Sequence, residues 1–391
     1  MKKLAIDGGK PVTDETIPIF IPYIDEEDVV TVSRAVSSTY VSGNGPECQA
    51  FERELEKRLG GGVHVLYTNS CTGALDLAYR IKRFPPNSTV LVPDFTFTST
   101  ALVPLLNNLR VKLVDVRPDN GNIDVDQIEA AITDDTVAIS PVDYAGNPVE
   151  IDKIMKIAVK HDLYVVHDTA QSIGATYRGH QSGTWAHVST FSFHGVKNMT
   201  TGEGGAFVTD NKQLCKQAEI MRDLGTDRNV KTADGNFYNF IDMGHSYIQS
   251  NINGALGLSQ LDKLTWMNQY RDECAMYYKK HMKDIPNVKF PPVTEQAKTN
   301  WHLFNILVPP EGRGWIKRAI NAEGVQCKEH YAPLHRNPIY SYLGTDEEFP
   351  GSVRFYNRLL RLPMYPGLST DELDMVIEAV SKVMEAYNEK T

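Results

Sequence analysis

From about residue 63 onward, short runs of β-branched and aliphatic residues alternate with segments of helical period. That alternation restricts the chain to βαβ units on a parallel sheet. The runs are 63–69, 89–93, 111–116, 136–142, 163–168, 188–193 and 205–210, and between them 72–81, 98–106, 125–132, 151–160 and 212–224 carry apolar residues at helical spacing. The pattern predicts an α/β fold in which a mostly parallel sheet of six or seven strands is sandwiched by helices. Such sheets bind ligands beyond the carboxyl ends of their strands, where the loops and helix N-termini converge. Past this region, 251–264 reads as a helix rich in small and aliphatic residues, 302–308 as short strand, and 371–387 as terminal helix. The expected division is a large α/β domain over 1–255 and a smaller C-terminal α+β domain over 256–391, which 391 residues can supply.

Composition removes several function classes. A formal charge of -9 repels phosphate backbones, so no nucleic-acid partner is expected. No stretch approaches the length of a membrane-spanning helix, and the opening MKKLAIDGGKPV lacks the apolar core of a signal peptide. Cys48, Cys71, Cys215, Cys274 and Cys327 are widely spread and form no CxxC pair, as in a reducing cytoplasm. The expectation is a cytoplasmic protein without a membrane partner or a metal.

Four segments can carry chemistry at strand ends. In FSFHGVKNMTTGEGG (191–205), Lys197 follows a strand inside a Gly-rich loop. It is either a solvated lysine or one desolvated enough to be a nucleophilic amine, as Schiff-base chemistry requires. In LYVVHDTAQSIGA (163–175), Asp168 ends an apolar strand. It reads as a helix cap, a structural ion pair, or the partner of a protonated pyridine nitrogen, with Gln171 one turn further on. In TNSCTGALDLAY (68–79), Ser70, Cys71, Thr72 and Gly73 form a polar turn before a helix, which is either a plain cap or a phosphate site. Ser192 adds a hydroxyl beside Lys197. In VPDFTFTSTA (92–101), Phe95 and Phe97 offer aromatic faces, by default for the core. Taken together, a lysine, an acid, a hydroxyl-bearing turn and a flat aromatic favour pyridoxal 5'-phosphate.

From about residue 21 to 387 the chain resembles the sugar aminotransferases of the DegT/StrS type, fold-type I enzymes dependent on pyridoxal phosphate. The resemblance is most specific at SFHGVKNMTTGEGG, HDTAQSIGA and NSCTGAL. It implies Lys197 as Schiff-base lysine and proton shuttle, and Asp168 on the pyridine nitrogen with Gln171 on the ring's phenolic side. It further implies Ser192, Thr72 and the Cys71 backbone on the phosphate, and Phe97 stacked on the ring. SGNGPECQAFE near Ser42 and HYAPLH with His330 and His335 match segments of the substrate mouth, where His194 is a further candidate. GHSYIQSNINGALGLSQL matches the segment that reaches a neighbouring subunit's site, which implies a homodimer. Departures are His167 for glutamate, Thr169 for alanine, Ser246 for an asparagine that reaches the partner's cofactor phosphate, and Ile248 for arginine.

The implied reaction is transfer of an amino group from an amino acid, L-glutamate by resemblance, to a keto sugar. GHSY resembles enzymes acting on nucleotide-linked 4-keto-6-deoxyhexoses, whereas LAIDGGKPV and YVSGNGP resemble those acting on keto-cyclitols of the inosose type. A non-enzymatic regulator on the same fold is the remaining alternative. Arg222, Arg228, Lys231 and Arg336 are candidates for a nucleotide diphosphate by charge alone. No GxGxxG in a strand-to-helix turn, no GxxxxGK[ST] and no HExxH occurs, which argues against dinucleotide, P-loop and zinc-hydrolase chemistry.

Overall fold

A computed structural model describes residues 3–227 and 238–389. All seven expected runs form strands: β1 (His64–Thr68), β2 (Thr89–Pro93), β3 (Arg110–Val114), β4 (Thr136–Ile139), β5 (Tyr164–Asp168), β6 (Val188–Ser192) and β7 (Gly205–Thr209). They make one sheet in the order β1-β7-β6-β5-β4-β2-β3. Pairings among β6, β5, β4, β2 and β3 are parallel, while β7 runs antiparallel to both neighbours. The central strands β2, β5, β6 and β7 are buried along their whole length, as residues covered on both faces must be.

The helices are α1 (Glu26–Ser37), α2 (Pro46–Arg58), α3 (Cys71–Arg80), α4 (Ser99–Leu106), α5 (Val125–Ala131), α6 (Ile151–His161) and α7 (Lys212–Arg222). They are followed by α8 (Asn251–Met282), α9 (Arg313–Ala322), α10 (Pro350–Tyr356) and α11 (Thr370–Asn388). Capping boxes start α1 at Asp25 and α11 at Ser369. The 32-residue α8 runs without a break through position 255 and carries Cys274, Ala275, Tyr278 and Met282 into the C-terminal core.

In that C-terminal part, β8 (Phe304–Leu307) pairs antiparallel with β9 (Leu359–Leu362), setting Asn305 opposite Arg361. Phe304, Ile306, Leu360 and Leu362 face the core made with α8, α9 and α11. The opposite face, Leu303, Leu307 and Leu359, packs on Phe95, Val116 and Tyr144 of the large sheet's loops. Alternation along the two strands therefore joins the smaller unit to the binding end of the sheet. Segment 4–12 is held from outside that end, where Ala5 and Val12 amides donate to Glu323 (2.9 and 3.1 Å). Among the described residues no helix is long and apolar enough to cross a membrane.

Candidate active site

The carboxyl ends of β1, β2, β5 and β6 open on one cavity of about 950 Å³ that extends out to solvent. Ser70, Thr72, Phe97, Ser99, Asp168, Gln171, Ser192, His194, Lys197 and Tyr331 are among its lining residues. Five segments widely separated in sequence thus meet where a doubly wound sheet gathers its loops.

Ser70 caps α3, its hydroxyl accepting the Gly73 amide at 3.0 Å. The other first-turn amides have no intrahelical partner and face the cavity end with the helix's positive pole. Thr72 Oγ1 lies 2.9 Å from Ser99 Oγ at the start of α4, so two hydroxyls frame this end. The turn closes tightly because β7 begins with Gly205: a Cβ there would stand 2.3 Å from the Cys71 amide nitrogen. Cys71 points its thiol away from solvent, 3.5 Å from Thr190 Oγ1, and burial raises that thiol's pKa.

Asp168, the last residue of β5, is buried, and desolvation pushes its carboxyl above the usual value. Thr100 Oγ1 donates to Oδ2 at 2.8 Å and the Ala170 amide to Oδ1 at 3.1 Å, both favouring the carboxylate. Thr96 and Thr100 hydroxyls lie 2.9 Å apart, so the loop after β2 and the first turn of α4 supply an ordered hydroxyl pair behind the acid. Lys197 sits half-buried across the cavity in the loop after β6. Desolvation depresses its amine, opposed by Cys71 and Asp168, while Arg361 lowers it further. A lysine so placed holds a larger neutral fraction than a solvated one. Gln171 fixes its amide by accepting the Ala145 N–H at 2.7 Å, leaving Nε2 3.4 Å from Tyr331 OH. Phe97 is half exposed, with its ring 5.6 Å from that of Tyr331.

Of the other expected residues, only His194 lines the cavity. His194 is at the mouth, 3.5 Å from Glu203. In HYAPLH it is Tyr331, between the two histidines, that lines the cavity. The His330 carbonyl accepts from Tyr144 OH at 2.5 Å, and burial with Arg361 nearby depresses the imidazole to about 4. His335 is buried between Asp94 and Asp346, 2.8 Å from each, and is outside the cavity wall. Ser246 is exposed, its carbonyl accepting from Asn69 at 3.2 Å. Arg222, expected by charge to be a diphosphate candidate, is instead buried on Glu52 (2.5 Å) and the Tyr67 carbonyl (2.7 Å). Its guanidinium ties α7 to α2 and β1. Arg336 is likewise bound to Asp346 (2.7 Å), and Arg228 and Lys231 lie outside the described residues.

Ser99 and Tyr331, which line the cavity, and Thr100, which donates to Asp168, are the site residues that sequence reasoning missed. The threonine and serine stand in the quoted VPDFTFTSTA, where attention falls on the aromatics.

The model of the DegT/DnrJ/EryC1/StrS aminotransferase family matches residues 22–381. A Campylobacter jejuni protein named UDP-4-amino-4,6-dideoxy-N-acetyl-beta-L-altrosamine transaminase is 30% identical over 369 residues, covering 93% of this chain and 96% of that one. Helicobacter pylori PseC, an aminotransferase involved in the biosynthesis of pseudoaminic acid, superposes with a TM-score of 0.89 at 29% identity, covering 95% of this chain and all of that one. The putative sugar aminotransferase Spr1654 from Streptococcus pneumoniae, solved in its PLP form, gives 0.88 at 28% identity, with 95% and 99% covered. With sheet order, cavity and comparisons in agreement, the chain belongs to the DegT/DnrJ/EryC1/StrS aminotransferase family and is a pyridoxal-phosphate-dependent aminotransferase.

Proposed function

We propose that this enzyme moves an amino group from L-glutamate to the keto carbon of a nucleotide-linked 4-keto-6-deoxyhexose, for amino-sugar biosynthesis. The observation that carries the reading is the meeting of Lys197, Asp168 and the N-terminus of α3 on one cavity. The names of the Campylobacter and Helicobacter relatives support the sugar class. Segment 4–12, which resembles cyclitol enzymes, is bound by Glu323 outside the cavity wall and adds nothing to the cyclitol reading.

Bound pyridoxal phosphate supplies an electron sink for charge developing at the donor's α-carbon. The chain's own residues do the rest. The α3 amides with the Thr72 and Ser192 hydroxyls bind the phosphate, and Phe97 covers one ring face. Gln171 orients the phenolic side. Asp168 holds a proton at the pyridine nitrogen, with Thr100 keeping its carboxylate oriented. Lys197 Nζ takes the proton from the donor's α-carbon and returns one when the sugar is aminated. Ser246 belongs to an exposed stretch with the apolar Phe240, Ile241 and Met243, which suits cover by a second copy in a homodimer with shared sites.

Two expected outcomes test this. Titrating the cofactor-loaded protein with L-glutamate should replace its visible absorption band by one at shorter wavelength, without sugar present. A band indifferent to glutamate would remove glutamate as donor, and a protein that stays colourless with pyridoxal phosphate would remove the reading itself. His335→Ala should cost roughly 3 kcal/mol of stability by leaving the buried Asp94 without its imidazole. The half-saturating keto-sugar concentration should stay within about twofold, because His335 is not in the cavity wall. A raised sugar requirement with an unchanged unfolding midpoint would return His335 to the substrate.

A further inference from the structure

Behind the end of β5 lies a buried polar cluster that is not part of the cavity wall. Val142, in the loop after β4, forms a parallel bridge to Asp168, and both of these residues line the cavity. Successive side chains of extended chain point to opposite sides, so their neighbours Asp143 and His167 meet on the far side. There His167 Nε2 lies 2.8 Å from Asp143 Oδ1, which also accepts the Val149 amide at 2.9 Å. Asp143 Oδ2 accepts the Ser172 hydroxyl at 2.7 Å and the Ser182 hydroxyl. All four side chains are buried. Burial opposes ionisation of Asp143, but His167 and the two serine hydroxyls outweigh it and hold the carboxyl below its usual value. The carboxylate therefore accepts at both oxygens, and His167 Nε2 carries the proton between them. Among the described residues His167 Nδ1 has no partner, so the imidazole is spent on this one bond.

The cluster is tied to Asp168 through the main chain. The Asp168 amide donates to the Pro141 carbonyl at 2.9 Å, and the Asp143 amide donates to the Asp168 carbonyl at 3.2 Å. Both backbone groups of the acid are thus spent on 141–143, and that segment is pinned from behind by the Asp143 side chain. Ser172 and Ser182 tie the same carboxylate to the chain that follows Ala170 and Gln171, two further cavity residues. An apolar pair of similar volume would serve packing without taking a carboxylate out of water. What the polar pair adds is direction, because groups with fixed partners hold a backbone that apolar contacts leave free to slide.

We propose that Asp143 and His167 are positioning residues for Asp168, fixing the strand end so that its carboxylate is aimed at the cofactor's ring nitrogen. This deepens the aminotransferase reading and rests on it. Neither residue lines the cavity, so both act through the main chain at 141–143 and 168. The aim of the acid depends on that main chain, since the carboxylate itself is held by Thr100 and the Ala170 amide alone. A pair that served only packing would support the strand end equally whether position 168 carries an acid or an amide. A pair that serves Asp168 matters to the cofactor only while the acid is there.

The test is a double-mutant cycle, read as the affinity of the cofactor-stripped protein for pyridoxal phosphate by the visible band gained on titration. His167→Leu takes the N–H from Asp143 and fills the space. It should weaken cofactor binding about 30-fold beside Asp168, but less than about threefold in the Asp168→Asn background. The thermal midpoint should fall equally in both backgrounds, so lost stability alone cannot produce the difference. His167→Gln, whose amide N–H reaches the same carboxylate oxygen, should bind within about threefold of wild type. Where His167→Leu fails to fold, Ser182→Ala, which removes a donor from Asp143 Oδ2, runs the same cycle with an expected loss of about fivefold that disappears in Asp168→Asn. Equal losses in the two backgrounds overturn the assignment, as does a His167→Leu affinity within about threefold of wild type. A His167→Gln protein that binds no better than His167→Leu overturns it too. A wild type that binds no pyridoxal phosphate defeats the aminotransferase reading itself. A wild type that binds it, with losses that simply add, defeats only this inference.

Discussion

Lys197→Ala should lower amination turnover by about 10⁴-fold, with the folded protein's thermal midpoint unchanged or raised. The loss combines two roles of one atom. On the proposed reading Lys197 Nζ would be both the amine that holds the cofactor and the base that moves a proton at the donor's α-carbon. Among the described residues the Nζ makes no hydrogen bond or ion pair, so truncation strands no partner. Its desolvation, which favours the neutral amine, becomes a relieved cost in the variant. Added methylamine should restore part of the rate by entering the space left behind. Turnover within about tenfold of wild type would sink the role of Lys197. A collapsed midpoint would show instead that the lysine holds the loop after β6.

The strands and the chemistry at their ends are legible in the sequence because both are local. A β-branched run closed by a polar residue, as in 163–168, fixes the strand and the placing of Asp168 at once. Lys197, Ser192 and Thr72 follow the same logic, each within a few residues of a strand end. The second half of α8 is hidden because Trp266, Asn268, Gln269 and Arg271 interrupt the apolar pattern, although Cys274, Ala275, Tyr278 and Met282 keep helical spacing into the core. Tyr331 is hidden for a different reason. It reaches the site only after β8 and β9 pack their odd-numbered face on the large sheet's loops, a tertiary event with no local signature. Charge alone misleads in the opposite direction at Arg222, a basic residue buried in a structural pair with Glu52.

Asp168→Asn should retain cofactor yet lose about 10³-fold in turnover. The amide keeps the shape of the side chain: its one oxygen can receive the Ala170 N–H while its NH2 donates to Thr100 Oγ1, so the end of β5 stays in place. What disappears is the negative charge that, on the proposed reading, would keep a bound pyridine nitrogen protonated. The variant also has a pH signature. In the free protein, burial raises the Asp168 pKa above 3.8, and Thr100, Ala170 and Lys197 only partly oppose it. A bound protonated pyridine favours the carboxylate, so binding lowers that pKa. By linkage, this part of the cofactor affinity is fully present above the free-protein pKa and is lost as pH falls through it. Wild-type affinity should therefore weaken on the acid side, and Asp168→Asn should lose that limb while binding more weakly at neutral pH. Thr100→Val removes one donor that stabilises the carboxylate, so it should move the limb to higher pH with only a modest loss of turnover. Identical acid limbs in wild type and Asp168→Asn would assign the proton to another group, and near-normal turnover in Asp168→Asn would remove the acid from the mechanism.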